Sequence, residues 1–558
     1  MGYLLHILIV LGAEGLGELD ITTGWNLPWA VLGLAAVPHT LSSLARMFQI
    51  RGAFGRAAFV TRVLRWSAPL LQLLLVCVFG WVQSAREWTS AGMGVFTWPE
   101  PGLFLALAPY LVFELLAIDA QARVHDTRAP QQRALRSFQL RMFLSALLPI
   151  GLYFGLSGIV ATNDALRVHV EQVALFNGLF MVVLLVLLAL ALPILMRNTW
   201  ETVPIPDSPQ RSVLERVAQR ASFNARDLLI WRTGNLMANA AIVGVSGRSR
   251  VVLFSDSLLS VLSLRELASV FGHEMGHAMR HHVWIFIAWA MAFFLAADQA
   301  AQALAQESAW WVSAAVLGTL GMWALSFGWM SRRFELEADL FSLQLLDDPE
   351  GLISALERVG PRDREANGWR HFSTRRRVDF IVRAAGDPDW ARRFRARLRR
   401  LAIAGIVAAA VAATFTVQGL ISSFAEDRVW ADLSLGRFEE ASASAERVHA
   451  GRPDALDEEI LGLARLAGRF VSIEGAGEPQ IEDLERAVVG ALKGGNLERA
   501  LGYSKLAILR GARELHPLSR TLVALMANDS PAARENYEGV EAHWRVALAP
   551  WASTLVGP

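Results

Sequence analysis

His273 and His277 stand four residues apart, with Glu274 beside the first, in the run Gly272-His273-Glu274-Met275-Gly276-His277. Residues four apart share a helix face, so both imidazoles can grip one metal ion. The neighbouring carboxylate can then take a proton from a water held there. The stretch reads as a helix, because Ser263-Leu264-Arg265-Glu266 has the form of a capping box and no Gly or Pro interrupts Leu264 to Phe271. A catalytic zinc keeps three protein ligands and one open position, so a carboxylate from another helix is expected as the third. Ser331 to Asp339 offers candidates in a helix-forming segment that continues to Leu346. Glu335 and Asp339 share a face, and Glu337 points elsewhere. Spacing alone does not choose between Glu335 and Glu337.

His-Glu-Met-Gly-His followed by Ser-Arg-Arg-Phe-Glu-x-x-Ala-Asp resembles the membrane zinc metallopeptidases of the CAAX prenyl protease 1 and HtpX type. The resemblance implies a gluzincin-like site with one Zn²⁺ per chain on His273, His277 and Glu335. It also implies that Asp339 orients a zinc-bound histidine. His371-Phe372-Ser373-Thr374-Arg375-Arg376-Arg377-Val378 resembles the family's His-Pro-Ser-x-x-x-Arg-Ile segment, with Phe372 where the family has Pro. This implies that His371 and Arg377 face the cleft and steady an oxyanion; the other reading is a basic segment facing lipid headgroups. Asn239, Ala240, Ala241, Ile242 and Gly244 match a family strand beside the cleft. They are the expected substrate-binding positions, on a sheet edge to which an extended peptide adds as a strand. The plainer reading is a small sheet packed on the active helix. His281 and His282 are expected to be surface or interfacial histidines, the alternative being a second metal site. The resemblance runs from about Ser208 to Val378.

The chain has 558 residues, 53% of them hydrophobic and 19% charged, which is apolar for a soluble protein. A formal charge of +1 and the lack of a basic stripe with interleaved aromatics argue against a nucleic-acid partner. Cys77 is the sole cysteine and lies in an apolar run, which excludes a disulfide framework and a cysteine metal site. Of the 53 basic side chains only Lys493 and Lys505 are lysine, a bias that reflects genome composition rather than function.

Apolar runs of spanning length fall at about 27–45, 67–85, 102–122, 139–160 and 171–196, with residues 3–18 as a further candidate. Two more, at about 283–305 and 310–330, form a membrane hairpin, and 401–424 carries no charge and spans once more. Arg46, Arg51, Arg56, Arg62 and Arg65 read as one loop, and Arg123, Arg128, Arg133 and Arg136 as another, both cytoplasmic by the positive-inside rule. Between Arg370 and Arg400, 11 Arg face only Asp379, Asp387 and Asp389, which places the zinc segment on the same side. Glu114, Asp119 and Asp298 lie inside apolar runs, where a carboxylate either faces a cavity or reaches the interface from a helix end.

The expected fold is mostly α. Residues 1–200 form a multi-span membrane domain, and 201–400 a zincin-like metallopeptidase domain of small β-sheet plus active helix, with the hairpin 283–330 inserted. A last transmembrane helix at 401–424 leads to a soluble helical domain at 425–558. In that domain Leu435 to Ala441 and Gly495 to Ala500 have a tetratricopeptide-like look; a plain helical bundle is the alternative. It carries 15 basic against 21 acidic residues and reads as a module for a protein partner. The functional expectation is a zinc metalloendopeptidase in the lipid bilayer, acting on peptide or protein substrates. Its location is a bacterial inner (cytoplasmic) membrane, with zinc on the cytoplasmic side and the C-terminal domain outside. The alternative is a non-catalytic scaffold acting through the C-terminal helices, against which Glu274 counts, since a structural site has no use for a base.

Overall fold

The computed structural model describes His6 and residues 27–90, 101–125, 129–244, 247, 249–304, 309–360, 364–365, 367–474 and 479–555. Apart from His6, the candidate span at 3–18 lies outside the described residues. The chain divides into two compact units, 1–158 with 184–414, and 159–183 with 415–558.

After a short helix at Leu27–Ala35, the first unit holds α1 (Val37–Ile50), α2 (Phe54–Arg65), α3 (Ser67–Phe79), a helix at Trp81–Ser90, α4 (Pro101–His125) and α5 (Ala129–Ala161). Here two expectations need correction. The run at 67–85 is not one helix: α3 ends at Phe79 because Gly80 takes a left-handed turn at φ 61°. The Arg-rich stretch before it is not a loop either, since Arg56, Arg62 and Arg65 lie on α2, which buries Ala57, Val60 and Leu64. The apolar face recurs every three to four residues between the arginines, and the charge density hides it from a window average. Together α2 and α3 make one broken span or a re-entrant loop bent by 55°.

Glu114 is fully buried on α4 and faces His6 at 3.3 Å, while Asp119 is gripped by Arg123 and by Arg136 of α5, each at 2.8 Å. Both carboxylates are therefore held by protein partners, which offset the cost of charge in an apolar setting. Then come α6 (Ala174–Thr199) and a four-stranded sheet of β1 (Thr202–Pro204), β2 (Asp227–Trp231), β3 (Ala240–Val243) and β4 (Val251–Ser255), with α7 (Pro209–Arg220) between β1 and β2. The sheet order is β1-β2-β4-β3, with β2 parallel to β4 and β3 antiparallel to it, Ala240 opposite Phe254. Pro204, Pro206 and Pro209 read in the sequence as a linker, but residues 202–204 do not belong to one. They form an edge strand, where a proline is tolerated because its missing N–H faces no neighbour.

After a short helix at Asp256–Val261 come α8 (Leu264–Met279), α9 (His282–Ala303), α10 (Ala309–Leu346), α11 (Pro349–Val359) and α12 (Thr374–Gly386). The sheet and α8 share a core of Leu214, Val252, Phe254, Leu267, Phe271 and Met275. α9 and α10 pack against each other, α9 alone of the pair being among the described helices long and apolar enough to cross a membrane, and α10 runs on into the Glu335 segment without a break.

The long α13 (Pro388–Ser434) has residues in both units, as does α6. In the second unit α14 (Phe438–Gly451), α15 (Glu458–Glu474), α16 (Ile481–Lys493), α17 (Leu497–Leu509), α18 (His516–Met526) and α19 (Ser530–Glu538) pack as successive hairpins. Their shared core includes Phe438, Leu463, Leu484, Leu506, Leu522 and Trp544. Gly436, Gly495 and Asn528 turn the chain with positive φ before α14, α17 and α19. Among the described residues six helices are long and apolar enough to cross a membrane, or seven with the bent pair. The fold is thus mostly helical, with one small sheet and several membrane-length helices.

Candidate metal centre

The active helix starts where its capping box dictates: the Ser263 hydroxyl accepts from the Glu266 backbone N–H, and the Glu266 carboxylate accepts from that of Ser263. Two glycines then let α10 approach closely. A Cβ on Gly272 would lie 2.7 Å from the Ser342 hydroxyl, and one on Gly276 would lie 2.9 Å from the Ala338 Cα. With nothing larger at these positions, Glu335 and Asp339 come within reach of the histidines.

His273 and His277 turn their Nε2 atoms toward each other at 3.3 Å, and each lies 3.6 Å from a different Glu335 oxygen. A tetrahedral zinc with bonds of about 2.0–2.2 Å needs donor separations of about 3.3–3.6 Å, so these three side chains fit the ion. Both Nδ1 atoms are occupied elsewhere. His273 Nδ1–H donates to Asp339 Oδ1 at 2.9 Å, and Asp339 is clasped by Arg377 through Nε at 2.8 Å and Nη2 at 2.6 Å. The electrostatics also suit a cation. Burial opposes charge on His273, yet Asp339 and Glu335 outweigh it and push the ring up to about 10. Burial resists ionisation of Asp339 as well, but Arg377 and His273 hold its carboxyl below the usual carboxylate range. At Glu274 burial prevails over the nearby charges of His273 and Arg377 and pushes the carboxyl up to about 7.

These groups open onto a cavity of about 210 Å³. Glu274, Glu335, His371 and Arg377 line one part of it, and Asn239 and Ala240 another. Of the expected substrate positions, then, Asn239 and Ala240 reach the cavity, whereas Ala241, Ile242 and Gly244 do not line it. The Asn239 backbone is tied to Ser255, its carbonyl accepting from the Ser255 N–H and its own N–H donating to the Ser255 hydroxyl, both at 2.9 Å. Beyond it β3 is the terminal strand of the sheet. His371 is half-exposed, with Nδ1 3.1 Å from Glu335 Oε2. Arg377 is close to buried, commits Nε and Nη2 to Asp339, and keeps Nη1 3.6 Å from Glu335 Oε2 on the cavity side.

His282 corrects a sequence expectation. It is not a surface histidine: it is 1% exposed and stacks on Phe334, with ring centroids 4.1 Å apart. Its Nδ1 lies 2.9 Å from His277 Nδ1, and its Nε2 2.9 Å from Glu337 Oε2. With His277 Nε2 turned to the Glu335 side, His277 Nδ1–H donates to His282 Nδ1, and His282 Nε2–H donates to Glu337. Five residues on, His282 would face away from His277 on a continuous helix. The chain breaks instead at His281, which takes φ 56°, and this turn swings His282 back. No helical period pairs these residues. The signals were the family resemblance, in which a histidine often stands nine residues after the first ligand, and the chemistry of a histidine and a glutamate just beyond each half of the motif.

Residues 206–374 match the model of peptidase family M48. A CAAX prenyl protease 1 homolog of Oryza sativa subsp. japonica is 30% identical over 95 residues, 16% of this chain. The chain spans 22% of that relative's length. The crystal structure of S. mikatae Ste24p aligns with 65% of this chain and 100% of its own, at 13% identity and a TM-score of 0.45. The match to peptidase family M48 falls on the stretch that holds the histidines, Glu335 and the sheet, and it supports the likeness to membrane zinc metallopeptidases.

Proposed function

We propose that this chain is an integral-membrane, zinc-dependent endopeptidase that cleaves membrane or membrane-associated proteins. The observation that carries the reading is the convergence of His273 Nε2, His277 Nε2 and the Glu335 carboxylate beside Glu274, in a cavity reached by the β3 edge. Zn²⁺ on His273, His277 and Glu335 would supply a Lewis acid for the scissile carbonyl and a lowered water pKa. Glu274 takes the proton of the attacking water on its carboxylate and hands it to the leaving amine. An extended substrate adds to β3 and is aligned by backbone hydrogen bonds near Asn239 and Ala240. His371 donates to the oxyanion from the open side of the cavity. Asp339, fixed by Arg377, keeps the proton of His273 on Nδ1. Glu274→Gln keeps the three donors and removes the base, so it should retain zinc and lose hydrolysis of an unfolded protein by at least ~10². Zinc loss in that variant would make Glu274 a ligand and overturn the assignment.

The Arg-rich flanks favour a site on the cytoplasmic face, read here as that of a bacterial inner membrane, with the uncharged run 401–424 leading the acidic helical domain to the other side and to a protein partner. Single cysteines at exposed Asp379 and Glu535, in a Cys77→Ala background, test this with an impermeant thiol reagent on intact cells. Labelling at residue 535 alone is expected; labelling at 379 sinks the orientation.

A further inference from the structure

A second and larger cavity, of about 730 Å³, lies behind the metal centre, where α9 and α13 begin. Arg280, Arg392, Arg395, Arg399 and Arg400 line it, and its one lining carboxylate is Glu337, already engaged by His282. Little inside the protein answers these charges. Arg280 Nε is buried without a hydrogen-bond partner. Arg395 donates to the Gln344 side chain at 3.3 Å, and Arg400 Nε to the Ala396 carbonyl at 3.4 Å, both neutral acceptors. Among the described residues, only Arg392 of the five has a close acidic partner, Asp389. Burial lowers the Arg280 pKa and neighbouring Arg395 lowers it further, with Glu337 acting against them. The remaining wall is apolar: Ile285 from α9, and Leu398, Ala402 and Ile403 from α13. Both helices are long and apolar enough to cross a membrane, so this wall continues into the acyl layer.

We infer that this cavity binds an anionic phospholipid, its phosphate held by the arginine cluster and its chains running down α9 and α13. Guanidinium forks match phosphate oxygens in pairs, and basic pockets between spans on the cytoplasmic side suit anionic headgroups. A free phosphate shares the headgroup chemistry but makes no use of the apolar wall.

The test uses the purified full chain in detergent and native mass spectrometry with dioctanoyl phosphatidylglycerol, dioctanoyl phosphatidylcholine or inorganic phosphate as probe. One phosphatidylglycerol should bind at concentrations where phosphatidylcholine does not, and an equal concentration of phosphate should not displace it. Arg399→Glu and Arg280→Gln should each weaken it by at least about fivefold. Arg397→Glu, exposed on the same helix but outside the cavity, should leave it unchanged. Arg399 is exposed, so its reversal carries the test even where Arg280→Gln perturbs packing. Equal binding of phosphatidylcholine, equal loss in Arg397→Glu, no loss in Arg399→Glu, or displacement by phosphate at the same concentration each overturns the proposal.

Discussion

His273 and His277 sit one turn apart on α8, and α10 anchors the Nδ1 of each, but by different means. Asp339 accepts directly from His273 Nδ1–H, and Arg377 locks that carboxylate in a two-point clasp. His277 reaches its carboxylate only through a second imidazole, His282, wedged between it and Glu337 and stacked on Phe334. The first arm concentrates charge. The second spreads a neutral chain over two hydrogen bonds and ties the site to the first residue of α9, a helix of membrane-spanning length. Partners behind a metal ligand fix its tautomer and direction, so the two arms can differ in strength while leaving the same atom for the ion.

The largest effect separates donors from anchors. Glu335 and Glu337 are two residues apart and both close to buried, yet only Glu335 faces the two Nε2 atoms. Glu335→Ala should abolish stoichiometric zinc in the purified protein, whereas Glu337→Ala should keep most of it. Metal analysis of the pair decides this, and the reverse pattern would exchange the roles of donor and anchor.

Smaller losses should rank the arms. Asp339→Asn frees the His273 tautomer and leaves Arg377 buried without its counter-charge, so zinc affinity should fall by ~10–100-fold. His282→Leu keeps the stack on Phe334 roughly filled but removes the acceptor for His277, for a loss of ~10-fold, at the lower end of that range. Competition with a chelator gives both numbers. A greater loss in His282→Leu would make the relay, not the charged clasp, the principal anchor.

How much of this was legible depended on whether the information was local. The start of α8 was readable because Ser263 and Glu266 write their own cap, and the His273/His277 face because helical spacing is a rule of the backbone. Placing Glu335 over Glu337 needed the family resemblance, since both are helical carboxylates and the choice rests on how α10 lies against Gly272 and Gly276. The role of His282 was out of reach, because a single left-handed residue at His281 resets the helix phase, and the resemblance marked its position but not its contacts. The same limits hid α2, whose arginines mask its apolar stripe, and β1, whose Pro204 looks like a linker until β2 lies beside it.

The smallest expected effect asks whether both arms share one support. Glu266 caps α8 and also accepts from the Ser354 hydroxyl and from Arg358 Nε of α11, fixing the helix before either histidine is reached. Burial resists its ionisation, yet the bonds from Ser354, Ser263 and Arg358 outweigh this and hold the carboxyl down to about 2, against an ordinary 4.5. A carboxyl lowered on folding contributes stability that is fully present above its unfolded value and is lost as pH falls toward its folded one. Glu266→Gln should therefore cost ~1–2 kcal/mol at neutral pH, with a gap from wild type that is constant above about pH 5 and closes as pH falls toward 2. Thermal unfolding in detergent across that range reads it. Zinc affinity in the folded variant should keep the ranking of Asp339 over His282, because the cap sets where α8 sits and not which Nδ1 partner is stronger. A pH-independent gap would show that the carboxylate acts by shape alone, and a changed ranking would show that the two anchors are not independent of the helix start.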